Sequence, residues 1–369
     1  MSPRERILVG MSGGVDSSLS AALLVEQGYD VIGGFIKNWS DTKDLWTGEC
    51  HWRWERRDAL RVAAALGIPL YTFDFEQTYR AKVLEHMFAA YAAGMTPNPD
   101  VLCNQEIKFG LFFEEAMKMG CDGMATGHYA RVRRDEDGCT QLLKGVDPEK
   151  DQSYFLHRVS ARALAKTMFP IGHLTKTQVR EEAERRHLST AHKPDSQGIC
   201  FVGKLDMHDF LRQRIPASPG EIVDPDGVVL GHHDGLDAYT IGQRQGLMLH
   251  QGQHAWYVAA KDQVHRRLIV VPDREHPLLF SHEATVSRVH WLASNHAVGA
   301  LVGDKQVIEV MVRYRQRPIS AEIMGGPDRY RILFREPVWA VAPGQSAVFY
   351  QGEACLGGGV LVDPDPSGG

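Results

Sequence analysis

The sequence predicts an α/β fold in three parts: an N-terminal doubly wound parallel sheet, a small β-rich central module and a C-terminal β-barrel. Three observations support this prediction. Short apolar strands alternate with helical segments in the first half, the first strand leads into a Gly-rich turn, and beyond about residue 210 only short β-type runs remain. We expect domains over 1–211, 212–278 and 279–363, and a disordered tail over 364–369.

The N-terminal half follows a strand–helix–strand order, which is typical of a parallel sheet with helices on both faces. In such sheets ligands bind at the carboxyl ends of the strands. Strands are predicted over 6–10, 31–36, 69–74 and 121–126, and helices over 16–27, 55–66, 76–93 and 108–119. In the second half, β-type runs are predicted over 220–223, 255–259, 268–271 and 306–312.

The composition is that of a globular protein, with 369 residues of which 43% are hydrophobic and 24% charged. No apolar run approaches the roughly 20 residues that span a bilayer, and none near the N-terminus suits a secretion signal, so we expect a cytoplasmic protein without a membrane partner. The formal net charge of −5 argues against non-specific coating of nucleic acid but allows a locally basic surface. The six cysteines include no Cys-x-x-Cys pair, and we predict no metal ligands.

The turn between the first strand and the first helix has the composition of a phosphate-binding loop. Adjacent glycines let the backbone approach an anion, serine hydroxyls can donate hydrogen bonds, and the helix N-terminus adds free N–H groups. The Gly-Lys-Ser/Thr of a Walker loop is missing, which disfavours γ-phosphate transfer of that kind. The alternative is a Gly-rich turn with Asp16 as the helix cap. The predicted loop comprises Gly10, Met11, Ser12, Gly13, Gly14, Val15, Asp16 and Ser17.

Two cysteines lie in polar settings. Cys103 follows two prolines within three residues, Pro97 and Pro99, which predict a stiff loop that could present a thiol. Asp100, three residues earlier, could act as an acid/base group or cap the next helix. Cys200 ends a polar, Gly-containing segment of the kind found in mobile loops near pockets. From the residue types alone, each cysteine is either a reactive thiol or a buried structural residue.

Several motifs resemble known families. The run Ser-Gly-Gly-Val-Asp-Ser at 12–17 resembles the PP-loop of ATP pyrophosphatases, which cleave ATP to AMP and pyrophosphate. The two cysteine segments, 96–104 and 195–201, resemble those of the tRNA-specific 2-thiouridylases (the MnmA/TrmU family). The resemblance extends from about residue 6 to 362, although Ile36 stands where the family often has Met and Met248 where it usually has Gly. Further matching segments are 126–129, 150–155, 239–244, 313–316 and 342–345.

The resemblance implies thiolation of C2 of the wobble uridine in tRNA. ATP, with Mg²⁺, would adenylate the C2 oxygen, and sulfur would then displace AMP. By similarity, Cys200 carries the sulfur as a persulfide and Cys103 is the second nucleophile, ending in a Cys103–Cys200 disulfide. Asp100 is the implied acid/base group. Because these cysteines are far apart in sequence and a disulfide needs Cα atoms within about 7 Å, we expect the Cys200 loop to move during the cycle.

The same resemblance implies the partners and the binding residues. The partners are a tRNA with a wobble uridine and a sulfur-relay protein or cysteine desulfurase as the sulfur donor, and we expect a monomer. The target base must leave its stack to reach the nucleophile. The nucleotide contacts are the phosphate loop with Ile36 and Gly127. The tRNA contacts are Asn98, Pro99, Asp100, His128, Lys150, Asp151, Gln152, Arg313, Tyr314 and Gln345.

Three arginine clusters could contact phosphates. The arginines in the predicted helix 55–66 and just before it share one helix face. The alternative to phosphate contact is that they pair with Glu55 and Asp58 on a solvated surface. Those near residue 315 alternate along a predicted strand, which would place them on one face. The clusters are Arg53, Arg56, Arg57 and Arg61; Arg131, Arg133 and Arg134; and Arg313, Arg315 and Arg317.

Three other functions remain open from the sequence. Another PP-loop ligase or amidotransferase would not need two cysteines. A non-enzymatic nucleotide-gated RNA-binding or redox-sensing protein would bind ATP without producing pyrophosphate. An iron–sulfur cluster held by Cys103, Cys200 and a third group such as Asp100 would require different chemistry, and the sequence has no dense cysteine cluster to favour it.

Overall fold

The computed structural model describes residues 4–41, 50–135, 138–195, 207–247, 249, 255–292, 307–326 and 328–363. The predicted tail over 364–369 and Cys200 lie outside these residues. The described backbone forms three β-sheets joined by helices and loops. None of the described helices is both long and apolar enough to cross a membrane.

The secondary-structure elements are numbered along the chain. The strands are β1 (Arg6–Gly10), β2 (Asp30–Lys37), β3 (Leu70–Asp74), β4 (Gly123–Thr126), β5 (Ala130–Arg134), β6 (Thr140–Lys144), β7 (Thr167–Met168), β8 (Gly220–Val223), β9 (Val229–His233), β10 (Tyr257–Asp262), β11 (Arg267–Val271), β12 (Phe280–Trp291), β13 (Val307–Met311), β14 (Ile319–Gly325), β15 (Arg329–Trp339), β16 (Ser346–Gln351) and β17 (Ala354–Val362). The α-helices are α1 (Val15–Glu26), α2 (His51–Leu66), α3 (Glu76–Tyr79), α4 (Glu85–Ala92), α5 (Pro99–Leu102), α6 (Phe113–Lys118), α7 (Ser153–Leu156), α8 (Ala161–Leu164), α9 (Lys176–Arg185) and α10 (Met207–Arg212). Two π-helical stretches, Arg80–Leu84 and Cys103–Phe112, connect α3 to α4 and α5 to α6, and short 3₁₀ turns cover Leu236–Ala238 and Pro277–Leu279.

The first sheet has the strand order β3-β2-β1-β4-β7, with parallel pairings throughout. Successive side chains of its central strand β1 pack in two different cores, with Leu8 in one and Ile7 and Val9 in the other. One core includes residues of α1, α2 and α9, and the other includes residues of the helical segments between α3 and α6. The predicted doubly wound sheet is therefore confirmed, because helices cover both of its faces.

The helix that carries Cys103 begins earlier than predicted. The two prolines were expected to keep this region a loop, with a helix only from residue 108, but helical structure begins at Pro99 and continues to Lys118. Proline is tolerated in the first helical position because its missing N–H would have no partner there. Asn98 caps the helix, since its Oδ1 accepts a hydrogen bond from the Val101 N–H at 3.4 Å. Asp100 and Cys103 therefore lie on helical backbone, and the loop prediction was wrong.

The second half of the chain forms two β-structures. The smaller sheet has the order β10-β11-β8-β9 and encloses Ile222, Val258 and Leu268. The larger one runs β12-β15-β14-β13-β16-β17, and pairing of β12 with β17 closes it into an antiparallel six-stranded barrel. The predicted β-rich module and β-barrel are thus confirmed. The domain boundaries stay predictions, and α10 crosses the one placed after residue 211.

A hairpin that the sequence did not predict joins the first domain to the barrel. Strands β5 and β6 follow β4, and β6 pairs with β17 through Leu142 opposite Cys355 and Leu143 opposite Ala354. Nearby, the Tyr154 hydroxyl donates a hydrogen bond to the buried Ser346 carbonyl at 2.9 Å. The barrel is therefore attached to the first domain by backbone pairing and by buried hydrogen bonds.

The predicted arginine strand near residue 315 was wrong. Strand β13 ends at Met311, and the next residues form a turn in which the Gln316 N–H donates to the Arg313 carbonyl at 3.1 Å. Arg315 has a φ of +64°, a left-handed conformation that breaks a strand. The three arginines of this cluster therefore do not alternate along one strand face.

Candidate active site at the phosphate loop

The predicted phosphate loop lies at the carboxyl end of β1, where the chain turns into α1. Ser17 Oγ accepts a hydrogen bond from the Ser12 N–H at 3.1 Å and donates to the Gly14 carbonyl at 3.2 Å. The hydroxyls of Ser12 and Ser17 are 3.2 Å apart. These hydroxyls are thus held beside the N-terminus of α1, which is an environment that favours an anion.

Glycine is required at two positions around this loop. Gly13 has a φ of +77°, and a Cβ there would lie 2.2 Å from the Glu55 carbonyl oxygen of α2. Gly127 follows β4, and a Cβ there would lie 2.6 Å from the Ser17 backbone nitrogen. The end of β4 therefore packs directly against the first turn of α1, and the structure brings the predicted nucleotide contacts Gly127 and Ser17 together.

The remaining predicted nucleotide contacts include core residues. Met11, Val15 and Ile36 are buried, and the Met11 N–H donates to the Gly34 carbonyl at 2.8 Å. Met11 and Val15 pack in one core of the sheet, and Ile36 packs in the other. A contact between Ile36 and adenine stays a prediction.

Asp16 does not cap α1, so that alternative was wrong. The N-cap is Gly14, without a side-chain cap hydrogen bond. The Asp16 carboxylate instead accepts hydrogen bonds from Lys176 Nζ at 2.8 and 2.9 Å and from the Tyr129 hydroxyl at 2.7 Å. Burial, together with the nearby Asp16 charge, raises the pKa of Tyr129, so the phenol stays protonated and keeps donating.

A second carboxylate, Asp195, extends this network. It forms ion pairs with Lys150, Lys176 and Arg180 at 2.8, 2.8 and 2.9 Å. Burial alone would raise the pKa of Asp195, but the lysines outweigh it and lower the pKa to about 2. Asp195 therefore remains ionised, and Lys176 bridges it to Asp16 in the phosphate loop.

Sequence reasoning missed two lysines that lie against the loop. Lys176 is one of them, and Lys193 is the other, with Nζ 2.9 Å from the Gly13 carbonyl and 2.7 Å from Asp58. Both are distant from the loop in sequence, and no local pattern marks them. Lys193 does belong to the segment that leads to Cys200, which is the signal that could have drawn attention to it.

The structure describes the surroundings of one candidate nucleophile. Cys103 is fully buried at the start of its π-helical stretch. Its neighbour Asn104 donates from Nδ2 to the Phe155 carbonyl at 3.1 Å, while its buried Oδ1 has no hydrogen-bond partner among the described residues. Cys200 lies outside the described residues, so the Cys103–Cys200 disulfide stays a prediction. Asp195, which pairs with Lys176, is the last described residue before Cys200.

His128 connects the Cys103 helix with the end of β4. Its Nδ1 is 2.7 Å from Thr126 Oγ1, and its Nε2 is 3.5 Å from Lys108 Nζ on the Cys103–Phe112 stretch. Burial lowers the pKa of His128 well below its usual value, and the Lys108 charge acts in the same direction. The ring is therefore neutral near pH 7 and can serve as a hydrogen-bonding group.

The predicted tRNA contacts Lys150, Asp151 and Gln152 form hydrogen bonds and an ion pair within the first domain. Asp151 is buried and accepts from the Gly145 N–H at 2.8 Å and from the Ser153 hydroxyl at 2.9 Å. Gln152 Oε1 accepts a hydrogen bond from the Tyr129 N–H at 3.0 Å, and the Gln152 N–H donates to the Tyr129 carbonyl at 2.8 Å. Lys150 pairs with Asp195 and is half-buried. All three have structural roles here, and a contact with tRNA stays a prediction.

Three further predicted tRNA contacts lie where the barrel meets its neighbours. Arg313 Nη2 donates to the Ile241 carbonyl at 2.8 Å, and burial lowers the pKa of this arginine. Tyr314 packs on Phe155 with ring centroids 4.5 Å apart. Gln345 Nε2 donates to the Thr96 carbonyl at 2.8 Å, just before Asn98 and Pro99. The barrel therefore supports the loop that precedes the Cys103 helix.

The arginine face predicted near residues 53–61 lies on α2. Arg57 stacks over Trp54, whose side chain is 40% exposed, with the guanidinium 4.5 Å from the ring centroid. Arg61 pairs with Asp58 at 3.2 Å, and Arg56 donates to Thr72 at 2.7 Å. The surface is thus both solvated and partly paired, and its contact with RNA stays a prediction.

Strand, Gly-rich loop and helix together define a nucleotide-binding protein of the parallel α/β class. The loop hydroxyls, the α1 N-terminus and two adjacent lysines fit a polyphosphate. Among the described residues, no group of three or more His, Cys, Asp or Glu side chains could hold a metal ion.

Comparisons with known proteins narrow this class. Three family models match in order: a tRNA methyl transferase HUP domain over 5–204, a tRNA methyl transferase PRC-barrel domain over 208–272 and an aminomethyltransferase β-barrel domain over 281–361. The tRNA-specific 2-thiouridylase MnmA of Pseudomonas fluorescens is 50% identical over 362 residues, covering 97% of this chain and 95% of the relative. That of Stutzerimonas stutzeri is 48% identical over 367 residues, covering 98% and 96%. The chain belongs to the tRNA-specific 2-thiouridylase family.

A solved structure is also similar in part. NMN synthetase from Francisella tularensis is 17% identical, with a TM-score of 0.33, over 56% of this chain and 72% of that one. A likeness of this size carries no argument about function.

Proposed function

We propose that this protein catalyses the ATP-dependent 2-thiolation of the wobble uridine of tRNA. Family membership makes it an enzyme, a tRNA-uridine 2-sulfurtransferase, since its relatives are tRNA-specific 2-thiouridylases at about half identity over nearly the whole chain. One structural observation supports the proposal most. The chain Asp16–Lys176–Asp195 joins the phosphate loop to the segment that leads to Cys200.

The first chemical step is activation of the uridine. The C2 oxygen attacks the α-phosphorus of ATP, an O–P bond forms, and pyrophosphate leaves. The serine hydroxyls and free N–H groups of the loop would bind the phosphates, and Lys176 and Lys193 would offset their charge. Mg²⁺ would be held chiefly by the ATP phosphates.

The second step transfers sulfur. The terminal sulfur of a Cys200 persulfide attacks C2, and AMP takes the electron pair of the C–O bond. In the resolving version of this step, the Cys103 thiolate then attacks the Cys200 sulfur and a Cys103–Cys200 disulfide forms. The bond between the Cys200 sulfur and the transferred sulfur breaks, and its electron pair stays on the transferred sulfur, which remains on C2 in reduced form. Alternatively, Cys103 first releases sulfide from the persulfide, and sulfide attacks C2. Either route oxidises the two thiols, which an external reductant must restore.

The two cysteines have different geometric requirements. Cys103 is fully buried, so its sulfur becomes accessible only if a covering segment moves. From Asp195 to Cys200 the chain has five steps, which reach at most roughly 17 Å. Because this short segment ties Cys200 to Asp195, we expect a movement of the segment to bring the two sulfurs together. Asp100, in the first turn of α5, would exchange protons with the reacting groups.

The test is mass spectrometry of a wobble-uridine tRNA incubated with the protein, ATP, Mg²⁺ and a persulfide donor. We expect a sulfur-for-oxygen mass shift on the uridine together with AMP and pyrophosphate. An unmodified tRNA after incubation with folded protein would contradict the proposal.

Cysteine variants separate this reaction from the alternatives. Cys103→Ser and Cys200→Ser should abolish thiolation, whereas Cys139→Ser, which changes an exposed turn residue, should retain it. Equal cleavage of ATP to AMP and pyrophosphate by the unchanged protein and by both Cys103→Ser and Cys200→Ser, without thiolation by any of them, would instead favour an ammonia- or amino-acid-using PP-loop ligase. A brown colour after anaerobic purification, lost in the Cys103→Ser variant, would favour an iron–sulfur cluster.

A further inference from the structure

Two arginines converge on a cavity between the first domain and the barrel. The cavity has a volume of about 60 Å³ and is lined by Arg158, Arg288, His86 and Asn98 among others. This volume is several times the roughly 10–15 Å³ that holds one water molecule. None of the described residues that line the cavity is acidic. The junction therefore contains a small, basic space.

The arrangement of Arg158 fixes its guanidinium at this place. Its Nε donates to Gln105 Oε1 at 2.6 Å, and its Nη1 donates to the Arg288 carbonyl at 3.1 Å. Burial lowers the pKa of Arg158, and the positive charge of Arg288 lowers it further. Glu106 opposes this effect but is itself paired with Lys82 at 2.7 Å. Within the described part of the chain, Arg158 forms no ion pair with a carboxylate.

Arg288 adopts a strained backbone conformation at the same point. Its φ of +51° lies in the left-handed region, and the ladder between β12 and β17 shifts register between Ser287 and His290. Backbone strain of this kind is often found at functional sites. Arg288 is exposed and, among described residues, has no carboxylate partner. The bulge thus places beside the first guanidinium a second one that, like the first, forms no ion pair with a described carboxylate.

We propose that the Arg158–Arg288 cavity binds a backbone phosphate of the substrate tRNA. Guanidinium groups match phosphate oxygens in geometry and charge, and a phosphate would relieve the repulsion between the two cations. This inference rests on the proposed function and adds a subsite to it. Neither arginine was among the residues expected to contact tRNA.

The position of the cavity favours tRNA over a free anion. On one side it is lined by Asn98, which is expected to contact the target base, and on the other by Gly344 and Ser346, which flank Gln345. One expected tRNA contact, Asn98, therefore lines this space from the first domain, and the two chain neighbours of another, Gln345, line it from the barrel. Phosphate contacts fix the register of a nucleic acid on a protein. A phosphate held here would position the strand that carries the flipped base.

The test is binding of wobble-uridine tRNA to the full-length protein, measured by fluorescence anisotropy without ATP between about 50 and 200 mM salt. We expect Arg288→Gln to weaken binding about five- to tenfold at low salt and to reduce the slope of log K against log salt by about 1. Arg288→Lys should retain most of the slope because it keeps the charge.

Arg335→Gln is the matched control. Arg335 is also an exposed barrel arginine, but it lies toward the other end of the β12–β15 ladder. Arg335→Gln should leave both the tRNA affinity and the slope of log K against log salt unchanged. Equal slopes for Arg288→Gln, Arg335→Gln and the unchanged protein would overturn the inference.

Two further results separate the possible failures. If Arg288→Gln alters inhibition by inorganic pyrophosphate but leaves the tRNA slope unchanged, the cavity binds a free anion and the tRNA assignment is wrong. If the unchanged protein thiolates tRNA and yet Arg288→Gln binds normally, only this subsite fails. Absence of tRNA binding and thiolation by the unchanged protein would reject the proposed function and this inference together.

Discussion

The phosphate loop and the junction between the first domain and the barrel differ in how their charged side chains are paired. At the loop, Asp16, Lys176 and Asp195 form a continuous series of ion pairs, and Lys193 is paired with Asp58. At the junction, the guanidinium groups of Arg158 and Arg288 lie beside a cavity without a carboxylate partner among the described residues. Both regions are basic, yet ion pairs among the described residues neutralise only the first.

This difference indicates two kinds of recognition. Internal ion pairs hold the loop rigid, so that its hydroxyls and N–H groups are in position before a nucleotide arrives. Cations without internal partners retain their attraction for a phosphate, and that attraction weakens with salt. We therefore expect binding at the loop to depend mainly on shape and binding at the junction mainly on charge.

The largest expected effect comes from changing the shape of the loop. Gly13→Ala would place a methyl group 2.2 Å from the Glu55 carbonyl oxygen at a φ of +77°, so either the loop or α2 must shift. We expect ATP affinity, measured by isothermal titration calorimetry, to fall at least about a hundredfold, or about 3 kcal/mol.

Gly28→Ala is the control for backbone strain. Gly28 has a φ of +89°, but apart from its chain neighbours no described atom lies within 4 Å of the place that a Cβ would take, so alanine there adds strain without a clash. It should cost about 1 kcal/mol of stability and retain ATP binding. Similar ATP affinities for both variants would show that the loop tolerates the displacement and that shape is not decisive.

Breaking the ion-pair series should have the next largest effect. Lys176→Met leaves Asp16 and Asp195 without their shared lysine, and we expect ATP affinity to fall about ten- to a hundredfold. Lys118→Met, which removes an exposed pair with Glu115, should leave the affinity within about twofold. Equal affinities in the two variants would contradict a role for the series.

Lys176→Met should also change the sensitivity of the fold to acid. The pKa of Asp195 in the folded protein is about 2, below its usual value of 3.8, so its ion pairs stabilise the fold above pH 3.8 and that stability is lost as the pH falls toward 2. In Lys176→Met the pKa of Asp195 should move upward. Acid unfolding, followed by circular dichroism, should then begin at a higher pH than in the unchanged protein.

The smallest effect is expected from an uncharged contact at the junction. Tyr154→Phe removes the hydroxyl that donates to the buried Ser346 carbonyl at 2.9 Å. We expect the free energy of unfolding in urea to fall by about 1–2 kcal/mol. Tyr71→Phe, at a side chain that is 51% exposed, should change it by less than about 0.5 kcal/mol. An equally small effect of Tyr154→Phe would mean that this hydrogen bond does not hold the barrel.

Local sequence patterns predicted much of the fold. The apolar run at 6–10 matched β1, and the Gly-rich turn after it formed the loop at the carboxyl edge. The Pro-containing segment before Cys103 was predicted as a loop. That prediction was wrong because proline is tolerated in the first helical position and Asn98 caps the helix there. The arginine strand failed because one left-handed residue, Arg315, is enough to end the alternation.

The sequence by itself determined the phosphate loop, the alternation of strands and helices and the two cysteine motifs, since each depends on residues close together along the chain. Only the tertiary structure decided that Lys176 and Lys193 lie against the loop and that Arg158 and Arg288 share a cavity. Arg158 and Arg288, 130 residues apart, are adjacent because β6 pairs with β17 and attaches the barrel to the first domain. Contacts of this kind depend on how complete domains pack, and no short pattern of residues encodes them.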